Sequence, residues 1–93
     1  MAVEVTIPGP LLQYTRNQKE VQLNADSVLD AITELDRKFP GLKDRICDEQ
    51  EKVRAYVNIF VNGEDFRHLK SEQTKLKDGD EVMILPSIAG GSS

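Results

Sequence analysis

In this chain of 93 residues, one stretch repeats its apolar residues with a helical period, and that restricts the folds open to it. Val28, Leu29, Ile32, Leu35 and Phe39 recur at three- and four-residue spacing, while Asp30, Glu34, Asp36, Arg37 and Lys38 take the other face. The spacing predicts an amphipathic helix of about three turns. Asn24-Ala25-Asp26-Ser27 precedes it and offers side-chain oxygens to its first free N–H groups. Pro40-Gly41 ends it, and Glu34 stands where it can pair with Lys38 one turn on. Residues 42–46 allow one further turn, with Leu42 and Ile46 against the core. A chain this short has room for a single core.

The remaining apolar residues alternate. Val3, Val5 and Ile7 alternate with Glu4 and Thr6 until Pro8-Gly9-Pro10 stops the pattern. Residues 11–19 read as a turn or loop. Glu20-Val21-Gln22-Leu23 alternates again and predicts an antiparallel partner for the first strand. After a charged loop at 48–52, Ala55-Tyr56-Val57-Asn58-Ile59-Phe60-Val61 is the strongest strand, and Asn62-Gly63 marks a tight hairpin turn with positive φ. Glu64-Asp65-Phe66 returns briefly. Residues 67–77 are polar, with Leu69 and Leu76 as expected anchors, and Asp78-Gly79-Asp80 turns the chain into a last strand over 81–85. One helix cannot cover both faces of a sheet. The order therefore predicts an α+β fold with the helix across one face of a single mixed sheet, and with the first and last strands as central neighbours. That is the β-grasp, or ubiquitin-like, architecture. The domain is expected over residues 1–86, with residues 87–93 as a tail.

If Val57, Ile59, Val61, Val82 and Ile84 face the helix, then Tyr56, Phe60, Met83 and Leu85 lie on the open face. An antiparallel or mixed sheet can leave one face in water, but four large apolar groups there make a patch. Two readings are open: loops partly cover these residues or they are scattered surface hydrophobes, or else they form a docking surface beside the root of the tail.

Composition removes several functions. The formal net charge is −4, from 12 basic and 16 acidic residues, interspersed. No basic stripe is available for nucleic acid, whereas an acidic chain can be steered to a basic partner. No apolar run approaches the ~20 residues of a membrane span. The start lacks the charged and apolar regions of a signal peptide. A single cysteine, Cys47, fits a reducing cytoplasm. His68 is the one histidine, so no two-histidine zinc site is expected. Cys47 follows an apolar helical turn and His68 sits in a polar loop, a poor setting for a nucleophile pair. Asp78, Asp80 and Glu81 read as turn chemistry rather than as a metal or acid–base cluster. No catalytic residue, metal ligand or bound cofactor is expected, and the chain does not read as an enzyme.

What remains is the end, Pro86-Ser87-Ile88-Ala89-Gly90-Gly91-Ser92-Ser93. Two glycines without Cβ atoms make a thread slender enough for a channel closed to bulkier residues. A terminal carboxylate is a poor acyl donor. A mixed anhydride with AMP activates it, and sulfide then displaces AMP to leave a thiocarboxylate.

Three segments, Val57-Asn58-Ile59-Phe60-Val61-Asn62-Gly63-Glu64-Asp65, Leu76-Lys77-Asp78-Gly79-Asp80-Glu81-Val82 and Ile84-Leu85-Pro86-Ser87-Ile88-Ala89-Gly90-Gly91, together resemble the ThiS/MoaD family of ubiquitin-like sulfur carriers, most of all its CysO/QbsE type. The resemblance implies that Gly91 becomes acyl-adenylate and then thiocarboxylate, with Gly90 as the slender approach residue. It implies an E1-like adenylyltransferase that uses ATP, and a sulfur-accepting enzyme of cysteine, methionine or thio-natural-product biosynthesis. Carriers of this family act from the second glycine, whereas here Ser92 and Ser93 follow. The resemblance to carriers with residues beyond the glycines implies cleavage between Gly91 and Ser92 by a JAMM-type zinc metalloprotease. A molybdopterin synthase small subunit and a ubiquitin-like protein modifier share the same tail chemistry and are the alternatives.

Overall fold

The computed structural model describes residues 2–86. Five strands, β1 (Ala2–Thr6), β2 (Glu20–Asn24), β3 (Val57–Val61), β4 (Glu64–Asp65) and β5 (Glu81–Pro86), form one sheet in the order β2-β1-β5-β3-β4. β1 and β5 run parallel as central neighbours, and the other pairs are antiparallel. Two α-helices, α1 (Val28–Lys38) and α2 (Leu42–Ile46), stand between β2 and β3. This is the β-grasp expected from the spacing.

α1 starts where its cap residues dictate. The Ser27 hydroxyl accepts from the Asp30 N–H at 3.1 Å, and the Asp30 carboxylate accepts from the Asp26 N–H at 3.0 Å. Such reciprocal capping typically contributes about 1 kcal/mol. Val28, Ala31, Ile32 and Leu35 form its buried stripe. They meet Val3, Val5, Val21, Leu23, Val57, Ile59, Val61, Val82 and Ile84 in one core, which Leu42, Ile46, Phe66 and Leu76 close at its margin. Each of the fully buried aliphatic side chains contributes about 1.5–3 kcal/mol through removal from water.

Several local expectations are corrected. The segment after β1 is a 3-10 helix over Gly9–Tyr14 rather than an open loop. It buries Leu11, and the Thr15 hydroxyl beyond it donates to backbone oxygens. Ala55 and Tyr56 belong to a turn, so β3 starts at Val57. Phe66 leaves β4 to open a 3-10 helix and is buried. It takes the anchoring role expected of Leu69, which is exposed. Leu76 is buried as expected. On α1, Glu34 pairs with Arg37 at 3.5 Å rather than with Lys38.

Candidate functional site

The last strand is the central one of the sheet, bonded to β1 on one side and β3 on the other. Its entry is fixed by the residues that read as turn chemistry. Gly79 takes φ +90° and donates to the Ala2 carbonyl at 2.8 Å. The Asp78 carboxylate accepts from the Ala2 N–H at 3.0 Å, and one Asp80 oxygen accepts from the Lys77 N–H at 2.8 Å. The other Asp80 oxygen accepts from the Asn62 side-chain N–H at 3.0 Å. The Asn62 side-chain oxygen in turn accepts from the Glu81 N–H at 3.0 Å. The amide of Asn62 therefore clamps the β3–β4 hairpin to the start of β5. The hydrogen bond from Asn62, followed by that from the Lys77 backbone, lowers the Asp80 pKa from its ordinary value. Asn62 and Gly63 both have positive φ (52° and 86°), the conformation of the tight turn expected there.

Alternation then splits β3 and β5 between two surroundings. Ile59 and Ile84 are partners beneath α1, 0% and 1% exposed. Phe60 pairs with Met83, and Asn58 with Leu85, on the opposite face. Met83 and Leu85 are each 42% exposed, and Phe60 is half-buried between its neighbours. Among the described residues no helix or loop covers this row. Three of the four residues expected on the open face are thus adjacent there. Tyr56 stands apart, in the turn before β3, where it lines a cleft of ≈ 280 Å³ with Pro10, Leu11, Tyr14, Arg45 and Pro86. The Arg45 guanidinium lies over the Tyr14 ring, 5.4 Å from its centre. This cleft opens at Pro86, the end of the last strand.

Neighbours that the sequence pattern did not single out border the apolar row. The Arg67 guanidinium donates to the Asp65 carboxylate at 3.2 Å and to the Asn58 side-chain oxygen. The Arg67 backbone N–H and guanidinium both lower the Asp65 pKa. On the other side stand Thr6 and Glu4 of β1, in register with Met83 and Glu81. Alternation places Glu4 and Thr6 on one face of β1, but only the pairing of β1 with β5 brings Thr6 beside Met83.

Cys47 and His68 lie in different settings. Cys47 is buried at the end of α2, and burial pushes its thiol up to about 11. His68 is exposed at the end of the 3-10 helix that follows β4. Among the described residues no group of three or more His, Cys, Asp or Glu side chains is placed to hold a metal ion, and no helix is long and apolar enough to cross a membrane. Gly90, Gly91, Ser92 and Ser93, on which the sequence reading placed the chemistry, lie outside the described residues.

Comparison with known proteins agrees with this geometry. The ThiS family pattern matches residues 5–91. The sulfur carrier protein CysO of Mycobacterium tuberculosis is 39% identical over 93 residues, which cover 98% of this chain and all of that protein. A chain in the crystal structure of the Amycolatopsis orientalis BexX/CysO complex superposes with a TM-score of 0.90 at 37% identity, covering 96% of this chain and 99% of that one. The crystal structure of Mycobacterium tuberculosis CysO gives a TM-score of 0.87 at 36% identity, with 92% and 99% covered. A shared fold, a full-length match and a common pattern that runs through both glycines place this chain in the ThiS family, where it is similar to sulfur carriers of the CysO type.

Proposed function

We propose that this chain is a sulfur carrier that presents Gly91 as its working terminus and acts as co-substrate of other enzymes. The observation that carries the reading is the extent of the family match, which includes Gly90 and Gly91 and stops before Ser92. Hydrolysis of the Gly91–Ser92 peptide bond by a zinc metalloprotease of the JAMM type frees the Gly91 carboxylate and releases Ser92-Ser93. An E1-like adenylyltransferase then joins that carboxylate to the α-phosphate of ATP, with loss of pyrophosphate. Sulfide, or the terminal sulfur of a persulfide that a thiol then reduces away as a disulfide, attacks the acyl carbon and expels AMP, which leaves a C-terminal thiocarboxylate. Its sulfur is the nucleophile delivered to an acceptor enzyme in cytoplasmic cysteine, methionine or thio-natural-product synthesis. ATP and zinc belong to the partners.

Features of the fold support the reading. β5 is held on both sides, so Pro86 gives the tail a rigid mount. Phe60, Met83 and Leu85 form an uncovered apolar row on the same strand and its neighbour, suited to docking by the activating enzyme. Cys47 is poorly suited to carry the sulfur, because it is buried and its thiol stays protonated at neutral pH.

Intact mass spectrometry of the protein from its own cells under sulfur demand tests this function. The expected species has lost both serines and carries one sulfur in place of a terminal oxygen. A chain that still ends at Ser93 under those conditions overturns the reading.

A further inference from the structure

The open face carries a charge arrangement that its apolar row does not explain. Register sets Glu4 of β1 beside Glu81 of β5, and neighbouring strands lie about 5 Å apart. Glu20 and Gln22 of β2 extend the same face through their partners Thr6 and Glu4. Like charges side by side on a sheet repel. Among the described residues, the side chains of Glu4, Glu20 and Glu81 make no ion pair or hydrogen bond. Arg67, which borders this face beside Asn58, is already taken by Asp65 and Asn58. Glu4 and Glu81 also line a shallow depression of ≈ 260 Å³ with Gln22, Asp78 and Gly79. The acidic strip adjoins the apolar row directly: Met83 is two residues beyond Glu81 on β5 and in register with Thr6 and Phe60.

We propose that this face receives a protein surface in which an apolar side chain is flanked by at least two lysine or arginine side chains. The apolar group rests on Phe60, Met83 and Leu85, and the cations enter between Glu4 and Glu81. The repulsion present in the free chain becomes attraction in the complex. The free energy comes from docking, and the net charge of −4 adds steering to a basic partner. The partner is taken to be the activating enzyme, and to that extent the inference rests on the sulfur-carrier function.

Calorimetric titration of the full chain with its E1-like adenylyltransferase, at about 50 mM and about 500 mM NaCl, tests the proposal, because the Debye length falls several-fold between them. Wild-type Kd is expected to rise about tenfold with salt, and the E4Q/E81Q variant to bind about tenfold more weakly at low salt yet within about twofold of wild type at high salt. The thermal midpoint of that variant stays equal or rises, since a repulsion has been removed. Met83→Asp abolishes binding at both salts. Wild-type affinity of E4Q/E81Q at low salt overturns the charge proposal, while loss of binding by Met83→Asp alone retains an apolar dock. If Met83→Asp also binds normally, the open face is not the docking surface, although the thiocarboxylate measurement still judges the carrier function. A dimer in sedimentation equilibrium that Met83→Asp disrupts assigns the face to a second copy and overturns the proposal.

Discussion

Ile84 and Met83 are consecutive residues of one strand, yet one is 1% and the other 42% exposed. The same holds for Ile59, fully buried, and Phe60, half-buried beside it. The strand backbone is common to both members of each pair. What differs is the cover: α1 lies over one face, and among the described residues nothing lies over the other. A sheet with a single helix therefore keeps two separate accounts of apolar surface. Residues under α1 hold the fold together, whereas those on the open face are removed from water only when another molecule arrives. This separates stability from recognition between adjacent residues of one strand, and substitutions on alternate residues should separate them too.

The largest contrast is expected between Ile84→Asp and Met83→Asp. A carboxylate at Ile84 has no partner in the core and should cost about 5 kcal/mol or more, comparable to the whole stability of a typical domain. Circular dichroism should then show no cooperative melt. Met83→Asp should melt within about 3 °C of wild type, because an exposed substitution usually changes stability by about 0.5 kcal/mol or less. If both variants unfold, the two faces are not independent. A smaller contrast comes from truncation. Ile59→Ala should cost about 3 kcal/mol, lowering the midpoint by roughly 15 °C, whereas Phe60→Ala should cost about 1 kcal/mol. Equal losses would mean that Phe60 is part of the core.

The smallest effect concerns the clamp that joins the two strands. The folded-state pKa of Asp80 lies below its ordinary value, chiefly because Asn62 donates to its carboxylate. A depressed carboxylate stabilises the fold above its unfolded pKa, and that contribution disappears as pH falls through the folded value. Asp80→Asn should therefore be less stable than wild type at neutral pH, with the gap narrowing below about pH 4. Chemical denaturation across that range measures it. A gap independent of pH would remove the ionised carboxylate from the clamp.

Much of the fold was legible because two periodicities are physical consequences of backbone geometry. The 3.6-residue repeat marked α1, and the two-residue repeats marked β1, β2, β3 and β5 with their faces. Asn62-Gly63 and Asp78-Gly79-Asp80 were legible as turns, because positive φ selects those residue types. An isolated leucine in a polar segment carries no phase, so Leu69 gives a false anchor. Phe66, which does the anchoring, reads in sequence as part of the neighbouring strand. The 3-10 helix after β1 escaped because its short, proline-led sequence has no repeat to detect. Of the candidate site, the apolar row was legible, apart from the placement of Tyr56.

Legible without the fold were the order of elements along the chain, the central pairing of the first and last strands, the two-faced character of β3 and β5, and the family pattern ending in Gly90-Gly91. These follow from local spacing and residue chemistry. Only the tertiary structure decided which side chains meet across the sheet. The clamp between Asn62 and Asp80 joins residues 18 positions apart. The juxtaposition of Glu4 with Glu81 brings together two strands from nearly opposite ends of the described chain. Such contacts depend on strand register, which packing of the buried face against α1 imposes on the open face as well.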